Sequence, residues 1–103
     1  MTRNEAETRA ELIDPLLADT GWGKVAGTRV RREVITIGRL MGGGVRGDQD
    51  IADYVLTYRD RKLAVIEAKK EGLGPTEGLA QAKRYATKLQ TRFAYSTNGH
   101  EIY

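Results

Sequence analysis

The chain has 103 residues, with 17 Lys+Arg, 14 Asp+Glu, one His, a formal net charge of +3, 40% hydrophobic and 30% charged residues, a balance that fits one globular domain over residues 1–103. The absence of cysteine excludes disulfide frameworks, thiolate zinc sites and cysteine nucleophiles, and a lone His excludes most histidine-based metal and triad chemistry. Any catalysis must therefore use carboxylates, Lys, Arg, hydroxyls or a metal held by oxygen, and the small positive excess permits a polyanionic partner without requiring one.

In chain order, Asn4 to Ala18 predicts a helix, because Leu12, Ile13, Leu16 and Leu17 recur at helical spacing behind a good N-cap in Asn4. Pro15 either bends that helix or restarts it with Asp14 as a second N-cap. Gly21 and Gly23 end the segment around Trp22, a candidate core residue. Val30, Val34, Ile35, Thr36 and Ile37 favour a strand over Thr28 to Ile37, with Arg31, Arg32 and Glu33 marking a wet face. Gly38 to Gln49 reads as a loop or a hairpin turn, and it lacks the Gly-Lys-Ser/Thr ending of a phosphate-binding loop.

Ile51 to Tyr58 and Leu63 to Lys69 predict two strands joined through Arg59 to Lys62 as an antiparallel hairpin. Both are apolar at nearly every position, which places them centrally with both faces covered. Leu79, Ala82, Ala86 and Leu89 form an apolar stripe on a helix from about Pro75 to Gln90, and Arg92 to Ser96 is a fourth strand candidate. The fold class is α/β, a mixed central β-sheet flanked by α-helices. No apolar run reaches the roughly 18 residues of a membrane span and no signal-peptide core opens the chain, so a cytoplasmic protein without a membrane partner is expected.

Charges where the pattern calls for apolar side chains mark the candidate chemistry. Glu67 and Lys69 share one face of their strand, roughly 6 to 7 Å apart, and Asp53 stands on the neighbouring strand. Two carboxylates at about 4 Å repel by roughly 4 kcal/mol at an effective dielectric near 20. A divalent cation reverses that sign, and hard oxygen ligands in this number suit Mg²⁺. The alternative is a strand-end salt bridge between Glu67 and Lys69, with Asp53 a turn former. On the second helix Gln81, Tyr85 and Lys88 form a polar stripe, either a solvated face with Tyr85 at its margin or a face turned to DNA. Arg29, Arg31, Arg32, Arg39 and Arg46 are either solubility charges or phosphate contacts, and His100 is expected in an exposed loop.

Asp53 followed by Glu67-x-Lys69 resembles the PD-(D/E)XK nuclease superfamily. Seven segments in order resemble one member more closely: Asn4-Glu5-Ala6-Glu7-Thr8-Arg9, Leu12-Ile13-Asp14-Pro15, Gly21-Trp22, Ala52-Asp53-Tyr54-Val55-Leu56, Ala64-Val65-Ile66-Glu67-Ala68-Lys69, Gln81-Ala82-Lys83-Arg84-Tyr85-Ala86 and Ser96-Thr97-Asn98-Gly99. Together they are similar to the amino-terminal nuclease domain of the type I restriction enzyme R subunit. The resemblance implies a restriction-endonuclease-like core and an Mg²⁺-dependent DNA endonuclease, with Mn²⁺ as a possible substitute. Asp53 and Glu67 would be metal ligands, Lys69 the catalytic lysine, and Gln81 with Tyr85 the Gln-x-x-x-Tyr element beside the site. Glu5, on a helix face with Arg9, Leu12 and Leu16, would approach the metal, with Glu7 as its competitor. Ala52 stands where the superfamily name expects Pro.

The resemblance also implies double-stranded DNA as substrate and methylation and specificity subunits as partners. ATP would serve only a motor domain that this chain lacks. Two rivals are a noncatalytic nucleic-acid-binding module on the same fold and a structure-selective, junction-resolving nuclease.

Overall fold

The computed structural model describes residues 3–36 and 50–103. The segment read as a glycine-rich loop, and with it Arg39 and Arg46, lies outside the described residues. The first helix runs without a break through α1 (Glu5–Thr8), a π-helical stretch (Arg9–Ile13) and α2 (Asp14–Asp19). Asn4 and Glu7 form a reciprocal capping box, the Glu7 N–H donating to Asn4 Oδ1 at 2.8 Å and the Asn4 N–H to Glu7 Oε1 at 3.2 Å.

Pro15 neither breaks the helix nor gives Asp14 a capping role. The Asp14 N–H reaches five residues back to the Arg9 carbonyl, and Pro15 falls in the first turn of α2, so a widened π turn absorbs the ring. The Asp14 carboxylate turns to the sheet instead, accepting from the Tyr54 hydroxyl at 2.7 Å and from Arg32 Nε at 3.4 Å.

Among the described residues the sheet has four strands, β1 (Thr28–Thr36), β2 (Asp50–Tyr58), β3 (Arg61–Ala68) and β4 (Phe93–Thr97), in the order β1-β2-β3-β4. The first two pairings are antiparallel and the last is parallel. Parallel pairing demands a crossover, which a 3-10 turn (Pro75–Gly78) and α3 (Leu79–Leu89) supply. Between β2 and β3 the turn is tighter than the four residues expected. Only Arg59 and Asp60 lie outside the strands, at φ +47° and +66°, and two successive positive φ values match the right-handed twist of the flanking strands.

Both faces of the central strands are covered. On one, Ile13 and Leu17 pack against Tyr54, Leu56, Ala64, Ile66 and Ala68, with Trp22 at the margin. On the other, Tyr85 and Ala86 of α3 pack against Ala52, Val55 and Val65. Tyr85 is therefore not the marginal member of a polar stripe. It is 2% exposed, because its ring lies close in angle to Ala82 and widens the apolar face of α3. Away from the sheet, Glu71 accepts from His100 Nε2 and from the Arg3 N–H, both at 2.8 Å; those two bonds, His100's first, hold its carboxyl down at about 2. No helix among the described residues is long and apolar enough to cross a membrane.

Burial first, and the bond to Asp14 second, push the Tyr54 hydroxyl above its ordinary range, so it remains a donor tying the first helix to the sheet. Tyr54→Phe should lower unfolding stability by about 1.5 kcal/mol, the net worth of one hydrogen bond to a charged acceptor. Urea titration of the two proteins measures it, and an unchanged midpoint would remove this bond from the account of helix docking.

Candidate active site

The β2–β3 register pairs Tyr54 with Ile66 and Val55 with Val65, and its next step sets Asp53 opposite Glu67. At that step a side chain replaces the backbone ladder: the Ala68 N–H donates to Asp53 Oδ2 at 2.8 Å. The Asp53 carboxylate is thereby fixed between the two strands. It is 8% exposed and Glu67 is 4% exposed, so both acids sit in the body of the fold.

Their proximity carries an energetic conflict. Glu67 Oε2 is buried without a hydrogen-bond partner. Desolvation, the close approach of the Asp53 carboxylate and its charge raise the Glu67 pKa from 4.5 to about 9, with Glu5 adding a smaller push and Lys69 opposing it. Burial beside Asp53 therefore favours the protonated form of Glu67.

Lys69 lies two residues beyond Glu67, with its N–H donating to the Thr97 carbonyl at 2.8 Å. Its Nζ donates to Gln81 Oε1 at 3.4 Å, and Gln81 Nε2 donates to the Tyr85 hydroxyl at 2.9 Å. The buried Tyr85 ring thus anchors a short polar relay that ends on the Lys69 ammonium. The spacing of Gln81 and Tyr85 is one helical turn, which lets the pair bond along the helix.

Three further residues complete the neighbourhood. A Cβ at Gly78 would stand 2.8 Å from Ser96 Oγ, 3.0 Å from Lys69 Cε and 3.1 Å from Glu67 Cγ, so the turn before α3 closes onto the two charged side chains only because it carries no side chain. The Gly78 N–H donates to Ser96 Oγ at 3.2 Å, and Ser96 pairs with Glu67 in the parallel ladder. Arg9 Nη1 lies 3.6 Å from Asp53 Oδ1. Of these, Arg9 and Ser96 fall within segments that carried the resemblance, whereas Gly78 had no signal beyond its place ahead of an apolar stripe.

Between the two first-helix acids the arrangement discriminates. Glu7 is engaged in the capping box, while Glu5 is exposed yet close enough for its charge to act on Glu67. Among the described residues no group of three or more acidic, His or Cys side chains gathers to enclose a metal. Two converging carboxylates, one with an unsatisfied buried oxygen, do fit a hard ion that keeps several of its waters, as Mg²⁺ does. Arg29 and Arg31 are exposed on β1, while Arg32 pairs with Asp14 and lies over the Tyr54 ring at 5.9 Å.

No family model matches the chain. Over 100 residues it is 32% identical to the endonuclease subunit of the type I restriction enzyme EcoAI of Escherichia coli, covering 92% of this chain and 12% of that protein. A solved fragment assigned to an HsdR subunit of a type I restriction enzyme from Vibrio vulnificus YJ016 superposes with a TM-score of 0.86 at 40% identity, covering 99% of this chain and 21% of that one. The chain is thus similar to type I restriction endonuclease subunits in both sequence and fold, as its segments led us to expect, and it spans only a small part of either relative.

Because the folded-state pKa of Glu67 lies above its ordinary value, its contribution to stability is full below about pH 4.5 and is lost as pH rises towards about 9. Glu67→Gln removes the ionisation while keeping shape. In chelator, the variant should be more stable than the parent at pH 8, by about 2–5 kcal/mol, because the parent must take up a proton to bury Glu67 at that pH and each unit of raised pKa is worth about 1.4 kcal/mol. The difference should close towards pH 4.5, as melts across that range would show. A variant less stable than its parent at pH 8 would mean the two carboxylates are not in conflict.

Proposed function

We propose that this domain is a divalent-metal-dependent DNA nuclease with a PD-(D/E)XK core, acting within a type I restriction enzyme subunit. The observation that carries the reading is the buried convergence of Asp53 and Glu67 with Lys69 beside them, held by the Gln81–Tyr85 relay. Similarity to endonuclease subunits supports it.

Asp53 and Glu67 would hold Mg²⁺, or Mn²⁺ in its place. When bound, that ion would supply charge neutralisation for the two acids and Lewis acidity at a phosphodiester oxygen. Lys69 acts at the same point. An ammonium has three donors, and one is directed to Gln81, which leaves two for a phosphate oxygen and an attacking water. Fixed in advance by Gln81, the charge needs no reorganisation as negative charge builds on the phosphate. Gln81 and Tyr85 support this lysine, and Glu5 adds negative charge at the exposed rim of the metal pair.

Double-stranded DNA is the substrate we assign. The net charge of +3 and the exposed Arg29 and Arg31 support weak, sequence-independent binding through phosphates. Site choice would then come from partner methylation and specificity subunits, and ATP would serve only a motor elsewhere in the subunit.

Lys69→Ala should reduce plasmid cleavage by on the order of 100-fold or more, with duplex affinity nearly unchanged, since one ammonium is a minor part of phosphate binding but faces the reacting group. Cleavage is measured with the domain in its full subunit and partners, with Mg²⁺ and with chelator. Parental cleavage by Lys69→Ala, or cleavage undiminished in chelator, would contradict the assignment and favour a binding module.

A further inference from the structure

The β1–β2 register pairs Arg32 with Tyr54 and Val34 with Ala52, and the step between them sets Glu33 opposite Asp53. Since Asp53 stands opposite Glu67, three acids occupy one lateral row across β1, β2 and β3. Arg9 reaches into that row from the π turn of the first helix. Its Nη1 lies 3.6 Å from Asp53 Oδ1 and 3.6 Å from Glu33 Oε1, a single guanidinium shared between an acid of the candidate metal pair and an acid outside it.

The two acids differ in setting. The Asp53 side chain is 11% exposed and that of Glu33 is 66% exposed, with Arg9 between them at 24%. Glu33 also adopts φ +53° inside a strand, a left-handed conformation that a non-glycine residue takes only at a cost of order 1 kcal/mol. That strained position brings Arg9 a second carboxylate, one far more exposed than Asp53.

We propose that Arg9 is the built-in counter-cation of Asp53 and a positioning residue for the metal. It compensates Asp53 in the metal-free protein, competes with the divalent ion for that carboxylate, and transfers to Glu33 when the ion binds. This rests on the metal-binding reading of Asp53 and Glu67 given above. The charge arithmetic favours the exchange. The Arg9 guanidinium would be repelled by a divalent cation held by Asp53 and Glu67, and Glu33 offers it a carboxylate it already touches.

The test is Mn²⁺ affinity by calorimetry on the purified protein, with four forms: parent, Arg9→Met, Glu33→Gln and the double variant. Removing the competing cation should tighten Mn²⁺ binding about five- to tenfold in Arg9→Met, the scale of one nearby charge largely screened by solvent at this partly exposed position. A merely structural Arg9 would do the opposite, since loosening Asp53 weakens a metal site. Glu33→Gln, at an exposed position that should not threaten folding, leaves Arg9 leaning on Asp53 alone and should weaken Mn²⁺ binding about two- to fivefold. That loss should at least halve in the Arg9→Met background, where only the general field of Glu33 remains.

Unchanged or weaker binding in Arg9→Met, or a Glu33→Gln effect independent of Arg9, overturns the proposal while leaving the metal site standing. Absence of Mn²⁺ binding in the parent, or binding undiminished in an Asp53→Asn control, overturns both the proposal and the metal-binding reading.

Discussion

Two carboxyl groups held opposite each other in the body of a protein need a reason, and here the rest of the site is organised around that pair of acids. Repulsion and desolvation both disfavour ionised Glu67 beside Asp53, and the fold answers with local compensation that is incomplete. A backbone N–H from Ala68 and the Arg9 guanidinium attend Asp53. Glu67 has the opposing field of Lys69, but its Oε2 remains without a partner. A structural ion-pair network would close that gap; a site that admits a cation leaves it open.

Each layer of the fold contributes a separate control to this pair. The hairpin fixes the carboxylates through backbone register, which a one-residue slip would destroy by turning one of the two side chains to the other face. The crossover to β4 brings Gly78 and the Gln81–Tyr85 relay over Lys69, so ammonium position depends on core packing of α3. From the opposite layer, the first helix delivers Arg9. The π turn that accommodates Pro15 begins at Arg9, so a feature required by a proline in the chain also sets where the guanidinium emerges.

How much of this was legible in the sequence follows from the range of the forces involved. Asp53, Glu67 and Lys69 could be read because strand alternation is local and an acid within an apolar run is conspicuous. Asn4 capping was equally local. Tyr85 was misplaced because a tyrosine counts as polar by its hydroxyl in a helical stripe, whereas packing treats it by its ring. The Pro15 outcome turned on a five-residue hydrogen bond that periodicity does not encode, and the hairpin turn on two residues other than glycine with positive φ. Arg9 beside Asp53 and Gly78 above Glu67 are contacts between elements distant in the chain, and only the assembled fold brings them together.

The most direct measurement of the central claim is anomalous diffraction from crystals soaked in Mn²⁺. The account predicts one strong peak between the carboxylates of Asp53 and Glu67, with waters completing an octahedron and no such peak in Asp53→Asn. Manganese density absent from that position in the parent, or retained there in Asp53→Asn, would contradict it.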